Sequence, residues 1–251
     1  MKECIIGIAG CKNSGKDTVA SMINYIFATG ITRSNYADYV IRRKSINISH
    51  KDRIVHFADN MKDVMSIIFS IPRFAFDNRV KKDSEYWDYF NNKFVTFGEV
   101  LRDKNYIIFD NVIDKSLNDL IQYCSAKKQS LYIKLRALMQ YFGTDICRNH
   151  IDNNIWINST MSKAINIAIN RTLCIIPDVR FSNEANAIRN NNSKLFYGGL
   201  IKINRDNIDK DDHSSEHIYF NADFEIDNNG NLMQLFYKVL HICQKIKEVL
   251  L

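Results

Sequence analysis

The sequence predicts an α/β fold, a three-layer α/β/α sandwich with a mostly parallel five-stranded sheet. Three observations predict it. Apolar runs of strand length alternate with amphipathic helical segments along most of the chain. Residues 172–177 form a continuous apolar run, which is typical of a strand buried on both faces. The first apolar run leads directly into a glycine-rich turn and a helix, and ligands of such sheets bind where the strands end.

The first half of the chain predicts two strands and two helices. Residues 3–9 are the first strand and residues 16–28 an amphipathic helix. Residues 30–50 are polar with no clear period and are expected to be a loop. Residues 53–58 (Arg-Ile-Val-His-Phe-Ala) have the composition of a second strand. Asp59 can cap a helix that continues to about residue 70.

A substrate-binding insertion is expected in the middle of the chain. Residues 72–95 are rich in charged and aromatic side chains and indicate a flap. We therefore predict a single domain over residues 1–251, with a largely helical flap or insertion around 72–150. Residues 106–110 fit a strand or part of a helix equally well.

The second half alternates helices and strands. Helices are predicted at 131–142, 154–170, 182–190 and 232–249 from their apolar periodicity. Strands are predicted at 172–177, 199–204 and 224–226, and residues 205–221 are polar and expected to be a loop.

Composition limits the classes of function. The formal charge of +6 suits an enzyme whose substrates carry phosphates, and the dispersed basic residues disfavour nucleic acid as a partner. The chain contains no apolar run of 18 residues, so no membrane partner is expected. Six cysteines without a C-x-x-C pair indicate free thiols in a reducing compartment, and we expect a cytoplasmic protein, in the host cytoplasm if the source is viral.

The strongest motif is a phosphate-binding loop (P-loop). Residues 10–18 (Gly-Cys-Lys-Asn-Ser-Gly-Lys-Asp-Thr) fit the G-x-x-x-x-G-K frame between a strand and a helix. In that context several backbone N–H groups and the positive end of the helix dipole surround one anion. The residues predicted to bind a phosphorylated cofactor are Gly10, Lys12, Asn13, Ser14, Gly15, Lys16, Asp17 and Thr18.

Asp17 departs from the frame, because a magnesium-binding Ser or Thr is expected at its position and Thr18 comes one residue late. As an anion, Asp17 can hold magnesium directly or through water. The alternative is an ordinary carboxylate that the dipole stabilises at a helix N-terminus. Lys16 is predicted to reach the β- and γ-phosphates, and Thr18 to donate to the α-phosphate.

Four segments together resemble the deoxynucleoside monophosphate kinases of the T-even phage and viral type, within the P-loop nucleoside monophosphate kinase superfamily. They are the loop at 10–18, Arg-Ala-Leu-Met-Gln-Tyr-Phe-Gly-Thr-Asp at 136–145 with Arg148 and Trp156, Asp-Val-Arg-Phe-Ser-Asn-Glu at 178–184, and Asp-His-Ser-Ser-Glu at 212–216. The segment 226–232 is similar to the one before the last helix of these kinases, and the resemblance adds Asn228 to the predicted cofactor-binding residues. The resemblance spans nearly the whole chain, but residues 72–130 match no motif.

The resemblance implies phosphoryl transfer from ATP, with Mg²⁺, to a deoxynucleoside monophosphate, giving the diphosphate for DNA precursor synthesis. It implies small-molecule nucleotide substrates as partners and is compatible with a homodimer. Two alternatives stay open. One is a P-loop kinase for another phosphorylated small molecule, since phosphomevalonate kinases also carry a Gly-Lys-Asp loop. The other is a catalytically inactive nucleotide-binding protein that acts through partners.

Candidate catalytic residues follow the strands. Asp178, at the end of a buried strand, fits a carboxylate oriented toward magnesium, and its alternative is the N-cap of the next helix. Asp110 is a rival for that role. Arg180 would clamp an acceptor phosphate, as guanidinium groups do well, or else form a surface salt bridge. Arg205 would be a lid arginine that stabilises the transferred charge. With Lys16, the catalytic candidates are Asp178, Arg180 and Arg205, and the metal candidates are Asp17 and Asp178.

The acceptor site is assigned by resemblance. The segment with Arg136, Gln140, Asp145 and Arg148 reads the monophosphate and its base, although a buried structural network is an alternative for each member. Trp156 can stack on a base but as a lone aromatic can equally belong to the core. Lys62 matches a lysine near the acceptor phosphate or is a solvated helix lysine. Glu216, beside His213 and Ser215, suggests a lid or substrate role.

Overall fold

The computed structural model describes residues 2–110, 116–206 and 220–251. They form two compact units, one made of residues 1–57 and 157–251 and the other of residues 58–156. The first unit holds a parallel sheet between helices. The second unit covers residues 72–150, the range of the predicted insertion, and extends beyond it at both ends.

The described residues contain eight strands and ten α-helices. The strands are β1 Glu3–Gly10, β2 Glu85–Asp88, β3 Lys93–Thr96, β4 Tyr106–Phe109, β5 Ser130–Ile133, β6 Leu173–Val179, β7 Phe196–Asn204 and β8 Phe224–Asp227. The helices are α1 Lys16–Thr29, α2 Tyr36–Ser49, α3 Asp59–Ile68, α4 Arg79–Asp83, α5 Phe97–Val100, α6 Leu117–Lys127, α7 Leu135–Gln140, α8 Ile155–Arg171, α9 Ser182–Arg189 and α10 Leu232–Leu250. A π-helix, Tyr141–Ile151, follows α7. None of these helices has the length and apolar character that crossing a membrane requires.

The first unit contains a four-stranded parallel sheet in the order β6-β1-β7-β8. Alternate residues of β1 face different cores. Cys4, Ile6 and Ile8 pack with α1, α2 and α10, whereas Ile5 and Ala9 pack with α8 and α9. This alternation places a helical layer on each face of the sheet, as the fold class predicts, and it explains why β1 and β6 are apolar without a break.

The prediction that residues 53–58 form one of five strands in the sheet is wrong. Ile54 makes one isolated parallel bridge with Ile175, and the Val55 N–H donates to the Ile175 carbonyl at 3.0 Å. In an extended segment the next N–H on the same side is that of Phe57, and it bonds instead to the Asp178 carboxylate at 3.0 Å. Because this backbone donor goes to a side chain, the segment leaves the ladder after one bridge and the sheet has four strands.

The prediction of a loop over residues 30–50 is also wrong, because α2 occupies most of it. The Asn35 side chain accepts a hydrogen bond from the Asp38 N–H at 2.9 Å and caps this helix. Tyr39 is 1% exposed and its ring lies 5.2 Å from those of Tyr25 and Phe236. Since Tyr39 is the one fully buried residue of α2, the apolar period is too weak to be seen in the sequence.

Besides its helices, the second unit contains a mixed four-stranded sheet in the order β3-β2-β5-β4. Each of its strands has four residues, too few for period-two alternation to stand out. Residues 106–109 are a strand, parallel to β5. A core that includes Met65, Phe76 and Leu138 packs within this unit.

All six cysteines are free, as the sequence predicts. Cys4, Cys174 and Cys243 are completely buried, and burial raises the pKa of each thiol. They are therefore core residues and carry no chemistry at neutral pH.

Candidate functional site

The phosphate loop has the backbone conformation that its sequence predicts. It connects β1, which ends at Gly10, to α1, which begins at Lys16. Gly15 has a φ of 104°, a left-handed conformation that favours glycine. A Cβ on Gly10 would lie 2.5 Å from the Ser14 Oγ and 2.9 Å from the Ile203 carbonyl oxygen, so Gly10 must also be glycine. The two glycines thus leave a cradle that larger residues would fill.

Lys16 lies over the loop. Its Nζ donates hydrogen bonds to the carbonyls of Gly10 at 2.5 Å and Cys11 at 2.7 Å. The ammonium group is therefore held at the concave side of the turn, where the frame expects the β- and γ-phosphates. In the first turn of α1, Asp17 is exposed and Thr18 is half-buried. Lys12 and Asn13 are exposed at the tip of the loop.

Two neighbouring strand ends brace the loop. The Asn228 Nδ2 donates to the Ser14 carbonyl at 2.8 Å, and the Asn228 N–H donates to the Asn204 carbonyl at 2.8 Å. The Arg205 guanidinium donates to the Asn13 carbonyl at 3.2 Å. Both side chains predicted to touch the nucleotide thus contact the backbone of the loop. Asn228 also packs on Gly15, where an added Cβ would lie 2.5 Å from its Nδ2.

Asp178 ends β6, and its Oδ1 accepts the hydrogen bond from the Phe57 N–H. It does not cap α9. The carboxylate of Glu184, which is 2% exposed, accepts from the N–H groups of Arg180 at 2.8 Å and Phe181 at 3.1 Å. The sequence predicted no role for Glu184, although a Glu in the first turn of a helix is a known capping signal. The Arg180 side chain is exposed.

The donor set for a metal is small. Within the described ranges no group of three or more His, Cys, Asp and Glu side chains could hold an ion. Mg²⁺ is usually bound by one or two carboxylates together with water and substrate phosphates. Asp17 and Asp178, as hard oxygen donors in the first unit, fit that requirement. The glycine cradle and Lys16 fit the phosphates of ATP.

In the second unit, Lys62 lies within an ionic cluster at the start of α3. Its Nζ lies 2.9 Å from the Asp77 carboxylate and 3.6 Å from that of Asp59. Arg73 also contacts both aspartates. Burial raises the pKa of Asp77, but Lys62 and Arg73 outweigh it and hold that pKa below its ordinary value. Lys62 is thus a paired cation and not a freely solvated one.

Arg136 is paired as well, since its Nε and an Nη donate to the Asp83 carboxylate at 2.9 and 2.6 Å. Gln140 lies one turn further along α7 and is half-buried. Asp145 and Arg148 lie on the π-helix, exposed and half-buried respectively. Long π-helical segments are rare and often mark functional sites, and the sequence gave no indication of this one.

Lys82 is a cation that the sequence analysis missed. It is half-buried on α4, next to Asp83. Burial, and then the charges of Lys62 and Arg136, lower its pKa. The carboxylates of Asp83 and Asp77 act in the opposite direction but do not outweigh these causes. The feature of the sequence that could have indicated Lys82 is the basic pair Lys81-Lys82 inside the predicted flap.

Trp156 is buried in the second unit. It is 7% exposed, and its indole N–H donates to the Gly143 carbonyl at 3.0 Å. Its ring packs against Phe142, with centroids 6.3 Å apart. These contacts give it a role in holding the π-helix. Asp110 is exposed after β4 in the second unit. Glu216, with His213 and Ser215, lies outside the described residues.

Comparison with known proteins gives two findings. Residues 4–239 match the sequence model of a family described as deoxynucleotide monophosphate kinase. A protein of Acanthamoeba polyphaga mimivirus, provisionally named deoxynucleotide monophosphate kinase, is 35% identical over 96 residues. That match covers 32% of this chain and 45% of the relative, so the chain spans less than half the length of the relative it matches.

Proposed function

Because the chain belongs to the deoxynucleotide monophosphate kinase family, we propose that it transfers the terminal phosphoryl group of ATP to a deoxynucleoside monophosphate. The products would be ADP and the deoxynucleoside diphosphate, a precursor for DNA synthesis. One observation carries the proposal. The glycine cradle of the loop and the Lys16 Nζ, held over it by two carbonyls, are the groups that would hold the phosphates of a nucleotide.

The reaction needs position and charge more than proton transfer. An oxygen of the acceptor phosphate attacks the γ-phosphorus of ATP, a new P–O bond forms, and the bond to the β-phosphate oxygen breaks with ADP as leaving group. The attacking oxygen is already anionic, so no general base is required. This agrees with the lack of any Ser-His or Cys-His pair among the candidate residues.

Residues of the first unit would hold the donor. The Lys16 ammonium would leave its two carbonyl acceptors to contact the β- and γ-phosphates, while the N–H groups of the loop surround them. Asp17 and Asp178 would hold Mg²⁺, which when bound neutralises the phosphate charge. Thr18 would donate to the α-phosphate. Arg180, exposed after β6, supplies a guanidinium for the transferred group.

Residues of the second unit would recognise the acceptor. Arg136 and Lys62 supply positive charge for the monophosphate, and Lys82 adds a third cation. Gln140, Asp145 and Arg148 are the polar groups that we assign to the base and sugar. Trp156 would act through the π-helix, because its N–H already bonds to Gly143. We further propose that the enzyme works as a homodimer, which light scattering of the purified chain would test.

The proposal is tested by incubating the protein with ATP, Mg²⁺ and each deoxynucleoside monophosphate in turn, with product identification by chromatography. We expect at least one diphosphate to form, and Lys16→Met to lower kcat/KM by about 10²-fold or more. Lys163→Met, an exposed lysine of α8, is the matched control and should retain activity.

Phosphomevalonate belongs in the same panel. Its phosphorylation, with no deoxynucleotide accepted, would move the chain to the other kinase class. ATP binding without turnover of any acceptor would identify a catalytically inactive nucleotide-binding protein.

A further inference from the structure

A groove in the first unit is lined mostly by residues of α1 and α2. It has a volume of about 550 Å³, within the range of small-ligand sites. Its walls include Asp17 and Thr18 from the first turn of α1, Arg43, Lys44 and Ile48 from α2, and Lys51 from the turn that follows α2. The loop that holds ATP in the proposed function is followed directly by Asp17, the first residue that lines this groove.

The groove is cationic. Arg43, Lys44 and Lys51 bring three positive charges, against one negative charge from Asp17. Lys44 and Lys51 are exposed, and among the described residues no carboxylate pairs with either ammonium. The Arg43 guanidinium lies 5.7 Å from the centre of the Tyr39 ring and is held there by cation–π attraction. Such a surface attracts a ligand with more than one negative charge.

One wall of the groove is apolar. Ile48 is 71% exposed and lines the groove beside the cations. A large aliphatic side chain that faces water next to unpaired lysines suits a ligand with both an apolar ring and several anionic groups. We propose that this groove is a second binding site, which takes a free nucleoside polyphosphate with its phosphates on Arg43, Lys44 and Lys51 and its base against Ile48.

A small nucleotide fits the groove better than nucleic acid does. A bound strand would need positive potential that continues beyond both ends of the groove. Here the Asp17 carboxylate is part of the lining and would repel a backbone phosphate that passed it. A nucleoside polyphosphate ends within the groove and avoids that contact.

Occupation of the groove would oppose nucleotide binding at the loop. Asp17 and Thr18 belong to both sites, so the phosphates of the second ligand would lie near those of a nucleotide in the loop and repel them. The expected consequence is inhibition by excess nucleotide. This part rests on the proposed function, whereas binding in the groove does not.

The test separates the two sites. Lys16→Met removes the loop cation, and calorimetry of this variant with ATP is expected to show one remaining site. The affinity of that site for ATP should fall by roughly ten-fold in Lys16→Met/Lys44→Gln/Lys51→Gln. Lys16→Met/Lys163→Gln/Lys194→Gln carries the same charge change at two exposed lysines outside the groove and should bind like Lys16→Met. Equal weakening by both triple variants, or no ATP binding to Lys16→Met, would overturn the proposal even if the wild-type chain is an active kinase.

A second probe tests the base. Inorganic tripolyphosphate should bind Lys16→Met more weakly than ATP does, and Lys16→Met/Ile48→Ser should reduce the affinity for ATP while leaving that for tripolyphosphate unchanged. If a single-stranded oligonucleotide binds this groove more tightly than ATP, the ligand is nucleic acid and the assignment is wrong.

Discussion

Asn228 is predicted to set the affinity for ATP by positioning the phosphate loop. Its side-chain amide donates to the Ser14 carbonyl at 2.8 Å, and its own N–H is fixed to the Asn204 carbonyl. Ser14 is 1% exposed, so its carbonyl has little access to water as a substitute donor. Asn228→Leu keeps the approximate shape and neutrality of the side chain but cannot donate a hydrogen bond.

The size of the effect follows from that contact. An unsatisfied buried acceptor costs about 1–3 kcal/mol, and 1.4 kcal/mol is a factor of ten in an equilibrium constant. If the loop needs this bond to hold its phosphate-binding conformation, KM for ATP should rise by roughly 5- to 150-fold. KM for the acceptor should stay unchanged, because the candidate residue that Asn228 bonds to within the described ranges belongs to the loop and not to the acceptor site.

Steady-state kinetics with each substrate varied in turn measures both constants. Asn221→Leu, at an exposed position of the same unit, is the matched control and should leave both unchanged. A thermal melt shows whether Asn228→Leu is folded. A folded Asn228→Leu protein with KM for ATP within two-fold of the wild type would refute the positioning role.

Three further changes test the core and the acceptor site. In the Gly198→Ala variant the added Cβ would lie 2.1 Å from the Ile188 carbonyl oxygen. We therefore expect the free energy of unfolding, measured in urea, to fall by about 3 kcal/mol or more. An unchanged urea midpoint would contradict this close contact. Trp156→Phe should lower stability by about 1–2 kcal/mol more than Trp87→Phe, because the Trp156 N–H is hydrogen-bonded whereas the Trp87 N–H is buried without a partner in the described structure. Equal losses would show that the Trp156 bond contributes nothing. Lys82→Met should stabilise the protein at pH 7 and raise KM for the acceptor. Its lowered pKa means that the protonated form opposes folding, a penalty that fades as the pH rises from that pKa to 10.5, so the gain should shrink there. A destabilised Lys82→Met protein with unchanged KM would contradict both expectations.

The phosphate loop could be predicted from sequence because its determinants are local. A buried strand, two glycines and a helix start lie within fourteen residues, and each fixes the conformation of the next. The alternating cores on the two faces of β1 follow from its unbroken apolar run. These elements needed no knowledge of distant contacts.

The elements that were missed depend on contacts far apart in the chain. Residues 53–58 have the composition of a strand, but the Asp178 carboxylate, more than a hundred residues away, takes the Phe57 N–H. Helix α2 is stable because Tyr39 packs against Phe236 of α10. Sequence periodicity records burial within one segment and cannot record a partner in another.

The candidate acceptor site shows the same limit in its charges. The sequence predicts that Arg136 and Lys62 are free to bind a phosphate. In the structure each of them already contacts a carboxylate, Asp83 and Asp77 respectively. Lys82 differs, because burial and like charges lower its pKa and no carboxylate bonds to its ammonium in the described structure. The charges of Asp83 and Asp77 offset only part of this effect, and a phosphate dianion beside Lys82 would favour its charged form further. We therefore propose Lys82, which no motif marks, as a further cation for the acceptor phosphate, and the KM of the Lys82→Met variant tests it.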